Sequence, residues 1–395
     1  MREKIETERL YYDDCCRTTF QSVVARAGED EKGSYVILEE TCFFPEGGGQ
    51  PSDTGKLNGT AVTDVQIKDG EILHYISGNL CENDTVEGIV DWNRRFDLMQ
   101  QHSGEHIVSG WIHSRFGYDN VGFHMGEQFI TIDLNGEISP AQLADIENEV
   151  NQYIWTDREV RAFFASEEEV NTLPYRSKIE LAGEVRLVEF PGADLCACCG
   201  LHVKRTGEIG LVKLVSVHHF RQGVRIEMLS GKRAFDYLNQ HSTQNGLIAV
   251  DLSVKPDRTR DAVTKIQEEN YRLRGEIIRL EREKYKNIAR RTSECKDVLI
   301  IAEDMNPADI RKCTDEVLNT CQGVCVLVSG DDERGFRYAA GVRSGDIRDL
   351  VKDMNRELSG RGGGKPSFAQ GSLKGAGSRI ELFFKERDFS IIKTV

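Results

Sequence analysis

Asp194–Val203 reads DLCACCGLHV, three cysteines and a histidine within ten residues. Cys198 and His202 are spaced CxxxH, and Gly200 between them permits a tight turn. Thiolate and imidazole this close together are metal-ligand chemistry. The chain has 395 residues and eleven cysteines. Its N-terminus, MREKIETERLYYDD, is charged and has no apolar signal region. The expectation is a cytoplasmic chain with reduced thiols, in which clustered cysteines bind metal before they form disulfides. No apolar run approaches the length of a membrane span.

A CxxxH pair supplies half of a tetrahedral site. The other half is sought upstream, in QQHSGEHIVSG. Phe96, Met99, Ile107, Trp111 and Ile112 recur at helical spacing and predict a helix from Asn93 to Phe116. His102 and His106 sit four apart on it, so both imidazoles project from one face about one turn apart. Alone, HxxxH is a weak signal, since such a pair arises by chance on a solvated face. Together the two pairs offer three nitrogens and one sulfur, a good Zn²⁺ set. Cys196 could replace Cys198 after a small shift of the loop, whereas Cys199, its chain neighbour, is expected to point away. Cys198 is the preferred ligand.

Outward from this pair the chain changes character several times. Residues 1–92 alternate short β-like runs (SYVILEETCFF, GTAVTDVQI, GEILHYIS) with Gly-rich turns, which predicts a small antiparallel barrel or sandwich. After the first helix come a strand pair around QFITIDL and a second helix from Ser139 to about Trp155, with Ser as N-cap and Pro at N1. Strands return in VRLVEF, GLVKLVSVHHF and VRIEML. From Pro256 to Thr292, Val263, Ile266, Asn270, Leu273, Ile277 and Leu280 step alternately by three and four. That is a short heptad seam with a polar intrusion at Asn270. It reads either as a connecting helix or as a coiled coil. Beyond Cys295 an α/β alternation resumes and closes with a Gly-rich loop and an expected strand, RIELFFKE.

Four motifs carry a family resemblance. HSGEH on a helix is followed about 90 residues later by CCGLHVKRTGEIGLVKL and then by GVRIEMLSGKRA. Upstream lies TCFFPEGGGQPSDTG (Thr41–Gly55), and near the C-terminus GRGGGKPSFAQGS (Gly360–Ser372). The set resembles the editing domain of alanyl-tRNA synthetases and the AlaX proteins, with a DHHA1-like C-terminal domain. Only 46 residues precede the GGGQ segment. The resemblance is therefore to the long free-standing editing proteins and not to a complete ligase. It implies a multidomain α+β fold in four parts. They are an N-terminal β-barrel with the GGGQ motif (1–92), a zinc-containing α+β editing domain (93–250), a helical coiled-coil linker (251–293) and an α/β DHHA1-like domain (294–395).

The implied activity is trans-editing: hydrolysis of the ester joining serine, or by the same logic glycine, to tRNA(Ala). A pocket that accepts alanine cannot strongly exclude an added hydroxyl or a missing methyl, so a second hydrolytic sieve is needed. By the resemblance, His102, His106, Cys198 and His202 hold Zn²⁺. Gly48 and Gly49 let backbone approach the substrate, with Gln50 as a catalytic hydrogen-bonding group. The segment VGFHMGEQFITIDL lines the amino-acid pocket through Gly122 and Phe123, with His124 a candidate for proton transfer. Asp133 supports a zinc histidine or contacts substrate. One departure is clear: relatives often have CGGTH where this chain has CCGLH, so Leu201 puts an apolar group beside the metal.

Net charge is −14, which is awkward for an RNA partner. Two segments run against it. Pro256–Thr292 has eleven Lys/Arg against seven Asp/Glu, and Lys352–Arg379 has six against two. Arg361, Gly363, Lys365 and Lys374, in the Gly-rich segment, are the candidate tRNA contacts. The implied partners are the acceptor end and outer corner of tRNA(Ala), and a second copy through the linker or C-terminal domain. The competing function is a zinc-stabilised RNA-binding or assembly protein without hydrolytic activity.

Overall fold

The computed structural model describes residues 4–177 and 185–394. They form two compact units, Met1–Leu247 and Ile248–Val395.

After a short strand Glu8–Arg9 and a helix Leu10–Asp13, the first unit has six antiparallel strands closed into a barrel. In pairing order they are Thr19–Asp30, Gly33–Leu38, Glu71–Ile76, Thr60–Lys68, Gly55–Leu57 and Thr85–Val90. Val24, Val36, Leu38, Phe43, Leu57, Val65 and Val86 fill the interior, each fully buried. Closure leaves no open sheet edge. The GGGQ motif lies between Thr41 and the strand Gly55–Leu57.

The helix Trp92–Phe116 leaves the barrel with Asp91 as N-cap, its carboxylate accepting from the backbone N–H groups of Asn93 and Arg94. It ends at Gly117, with φ +69°. From Leu98 to Gly110 it is buried on every face, although several of these residues are polar. That is tolerated because the polar groups are partnered. Gln101 exchanges two hydrogen bonds with the Ser230 backbone, and Gln100 Nε2 donates to the Glu208 carbonyl. The helix packs against a four-stranded antiparallel sheet, in the order Val212–Phe220, Gly223–Ser230, Ile130–Leu134, Asn120–Met125. The helix Pro140–Ile154, opened by a Ser139–Gln142 capping box, shares this core. A smaller sheet orders Arg161–Ala165, Val185–Phe190 and Asp194–Ala197.

In the second unit the helix Thr259–Arg291 carries the heptad residues. Val263, Ile266, Leu273, Ile277 and Leu280 on it are each between 41% and 54% exposed. Its last turns pack against the helix Pro307–Val317 through Tyr285, Ile288 and Ala289. A six-stranded mixed sheet follows, in the order Arg361–Lys365, Phe368–Leu373, Gly335–Val342, Val324–Asp331, Val298–Ala302, Ser390–Thr394.

Two expectations are corrected here. RIELFFKE is not a strand: Gly377–Lys385 is a helix. Ile380, Phe383 and Phe384 are buried at i, i+3 and i+4, a helical face that the β-propensity of phenylalanine masks. The Gly-rich segment is not a loop either. Arg361–Lys365 and Phe368–Leu373 form a hairpin whose Gly362 and Gly371 lie directly against the Tyr338 side chain. The helix Gly231–Asp251 was not anticipated by any motif.

Candidate metal centre

Two elements bring the predicted quartet together. The helix Trp92–Phe116 presents His102 and His106, and the turn after the strand Asp194–Ala197 presents Cys198 and His202. One ligand atom from each lies within 4.8 Å of all the others. His102, His106 and His202 are 2%, 4% and 4% exposed, so the cluster is closed to bulk water on most sides.

The outer hydrogen bonds fix which ring nitrogens point inward. Gln50 Oε1 accepts the Leu201 N–H at 3.0 Å and stands 2.9 Å from His102 Nδ1. An atom that accepts from a backbone N–H is the amide oxygen, so His102 Nδ1 carries the proton and Nε2 presents its lone pair. Asp194 Oδ2 accepts a hydrogen bond from the Nδ1–H of His106 at 3.0 Å. Ser103 Oγ lies 3.2 Å from His202 Nδ1 and also accepts the Val203 N–H. Thus each Nδ1 is engaged and each Nε2 is available. His102 Nε2 sits 3.5 Å from Cys198 Sγ, and His202 Nε2 is buried with no hydrogen-bond partner. An orphaned buried nitrogen facing a thiolate is what a tetrahedral Zn²⁺ site requires, and the donor set fits.

The charges agree. Burial works against the Cys198 thiolate, but the charges of His102 and His106 and their hydrogen bonds outweigh it and hold the thiol well below its ordinary range. The Gly200 N–H also donates to its sulfur at 3.3 Å. Burial, reinforced by the charge of His102, holds His202 neutral. Against the cost of burial, Asp194 and Cys198 hold His106 well above its usual value. Metal entry therefore displaces a proton. Cys196 differs: burial pushes its thiol up to about 11. It groups with His106 and Asp194 instead of with the quartet. Cys199 is exposed, and its Sγ lies against Gly48.

Two glycines are required by space. Gly49 has φ +79°, and a Cβ there would stand 2.6 Å from the Phe123 ring. A Cβ on Gly200 would stand 2.2 Å from His102 Cε1. Phe123 in turn stacks on His102, with centroids 5.5 Å apart and planes at 19°. A cavity of about 540 Å³ opens beside the quartet, lined by Gly48, His102, Glu105, His106, Phe123 and Cys198 among others.

The remaining candidates fall differently. Gln50 is fully buried, with its carbonyl committed to His102 and Leu201 and its Nε2 without a hydrogen-bond partner. His124 is exposed, on the opposite face of its strand from Phe123, and does not line the cavity. Asp133 makes a two-point ion pair with Arg225 and lies across from Gly122. The groups that buttress the histidines are Gln50, Asp194 and Ser103. Asp194 and Ser103 stood inside the quoted motifs, at the first residue of DLCACCGLHV and the second of HSGEH. Arg361, Gly363 and Lys365 lie exposed on the edge strand Arg361–Lys365, and Lys374 is exposed just beyond the hairpin.

Comparison with known proteins accords with this arrangement. The family model described as tRNA synthetases class II (A) matches residues 3–94. That of the threonyl and alanyl tRNA synthetase second additional domain matches 185–227, and that of the DHHA1 domain matches 296–388. An alanine–tRNA ligase of Methanoregula boonei is 32% identical over 92% of this chain and 41% of its own length. The chain thus spans about two fifths of the ligases it matches. Two relatives match along nearly their whole length. Alanyl-tRNA editing protein AlaX-L of Pyrococcus horikoshii is 27% identical over 93% of this chain and 95% of its own. Alanyl-tRNA editing protein Aarsd1 of Danio rerio is 27% identical over 95% and 97%. With these matches and the three domain models in this order, the chain is similar to the alanyl-tRNA editing proteins along nearly its whole length.

Proposed function

We propose that this chain deacylates mischarged tRNA(Ala), with the seryl ester as principal substrate and the glycyl ester as a second. The observation that carries the reading is the closed His102–His106–Cys198–His202 quartet opening onto a cavity that can admit an acyl ester. These four residues would hold Zn²⁺. When bound, the metal supplies Lewis-acid polarisation of the ester carbonyl or a water of lowered pKa.

The protein's own groups do the rest. Gln50, Asp194 and Ser103 hold the three imidazoles in register. Phe123 walls the site beside His102 and limits water. The Gly48–Gly49 turn leaves room for backbone contact with the substrate. Arg361, Gly363, Lys365 and Lys374 would meet the tRNA backbone. The exposed apolar stripe from Val263 to Leu280 suits a second copy of the chain. Among the described residues no helix is long and apolar enough to cross a membrane, and the cytoplasm is the proposed location.

The direct test is the time course of ester loss from Ser-tRNA(Ala). Acceleration well above the buffer rate is expected. A rate equal to buffer would leave a zinc-stabilised RNA-binding protein as the better description.

A further inference from the structure

A second group of metal-ligating side chains lies outside the quartet. In the stretch YYDDCC (Tyr11–Cys16) the helix Leu10–Asp13 ends, and Asp14, Cys15 and Cys16 follow it. A carboxylate oxygen of Asp14 and the two sulfurs lie within 4.8 Å of one another. The sulfurs themselves are 3.9 Å apart. A tetrahedral zinc with Zn–S bonds of about 2.3 Å sets two sulfur ligands about 3.8 Å apart. On an extended chain neighbouring side chains point to opposite sides. Here the turn at Cys15 and Cys16 brings both sulfurs together.

That turn is held in place. The Cys16 N–H donates to Asp14 Oδ1 at 3.0 Å, and the Arg17 N–H donates to the Asp14 carbonyl at 3.0 Å. Arg95 Nη1 donates to the Cys15 carbonyl at 2.8 Å. The Lys204 ammonium pairs with Asp14 Oδ1 at 2.8 Å and adds positive charge near both sulfurs. Two thiolates and a carboxylate exceed the charge of a divalent cation by one, and Lys204 supplies the balance. Both cysteines are half-buried and the Asp14 side chain is 47% exposed, so the group opens at the surface. It also backs onto the quartet: the Cys15 thiol donates to the His202 carbonyl at 3.4 Å.

We propose that Asp14, Cys15 and Cys16 form a second, labile Zn²⁺ site at the surface, distinct from the buried quartet. The proposal is independent of the deacylase reading. Two sulfurs and one oxygen bind the ion, and solvent completes the tetrahedron. The two thiol protons pass to solvent, and the hydrogen bond from Cys15 to His202 is given up. This site has three protein ligands against the quartet's four, and Lys204 competes for its carboxylate. It is therefore the weaker of the two and loses its zinc on dialysis that leaves the quartet loaded.

The test counts zinc by competition with a chromophoric chelator, under a phosphine reductant that keeps both thiols reduced. Wild type is expected to bind one tight equivalent and a second, weaker one. The Cys15→Ser/Cys16→Ser double variant should lose only the weaker equivalent, and Cys198→Ser should lose only the tight one. Co²⁺ added to wild type already carrying one zinc should give a thiolate-to-cobalt charge-transfer band that the double variant lacks. A wild type that binds a single equivalent overturns the site. So does a second equivalent that survives the double variant, which would be an adventitious ion only. Asp14→Asn, at an exposed side chain, keeps the test open if the double variant does not fold. It should weaken the second equivalent by at least about tenfold, no less than the loss of an outer-shell partner costs, and an unchanged affinity overturns the site.

Discussion

Gln50 Oε1 stands 2.9 Å from His102 Nδ1 and accepts the Leu201 N–H at 3.0 Å, so one side chain of the GGGQ turn braces both halves of the His102–His106–Cys198–His202 quartet. Removing it frees the His102 ring and the CCGLH turn together. Gln50→Ala should weaken zinc binding by about 10–100-fold, the usual cost of losing an outer-shell partner. Competition against a chromophoric chelator measures this. An unchanged affinity would mean that Gln50 does not position the ligand.

Cys196 and Cys198 are two residues apart but are not equivalent. Cys198 is held toward the thiolate, whereas burial pushes Cys196 up to about 11. Since the thiolate is the metal ligand, Cys196→Ser should retain close to one zinc per chain. Cys198→Ser should bind zinc at least about 100-fold more weakly, by loss of a first ligand. Elemental analysis after dialysis separates the two. The reverse order would assign the sulfur to Cys196.

Arg95 and Asp53 form an ion pair with both side chains fully buried. Arg95 Nε donates to Asp53 Oδ1 at 2.9 Å, its Nη1 to the Cys15 carbonyl and its Nη2 to that of Cys42. Asp53 also accepts the Phe44 N–H. The pair fastens the first helix to the barrel beside the GGGQ turn. Arg95→Ala leaves a buried carboxylate unpaired and should cost about 3–5 kcal/mol. Denaturant unfolding reads it, and a loss below about 1 kcal/mol would contradict this role.

His74 is fully buried in the barrel, between Thr41 Oγ1 and the Val36 carbonyl. Burial lowers its pKa to about 4. The unfolded chain takes up this proton below about pH 6.5 and the folded chain only near pH 4, so the unfolded state binds more protons between them. Stability from this group is complete above about pH 6.5 and falls by about 3 kcal/mol as pH drops toward 4. His74→Gln should flatten that dependence. Urea midpoints between pH 7 and pH 4.5 check it, and an identical slope in the variant would contradict it.

Sequence spacing located the quartet because HxxxH and CxxxH are local patterns with a fixed chemical meaning. It did not locate Asp194 and Ser103 as braces, since which carboxylate or hydroxyl reaches an imidazole depends on how strand and helix cross. His124 and Asp133 lie away from the quartet for a related reason. Strand alternation turns Phe123 toward His102 and sends His124 to the other face. The Gly-rich segment read as a loop because its glycines leave space, and that space is filled by Tyr338 in a hairpin. Composition cannot tell an empty turn from a glycine pressed against an aromatic ring.

The most direct measurement joins metal and reaction. Zinc-loaded wild type, chelator-stripped wild type and Cys198→Ala are each incubated with Ser-tRNA(Ala) and Ala-tRNA(Ala), and the remaining ester is counted. The expected result is rapid loss of serine alone in the loaded wild type, with the stripped protein and the variant slower by at least about 100-fold and activity returning when zinc is restored to the stripped protein. A seryl ester that survives wild type carrying a full complement of zinc would contradict hydrolysis at this centre.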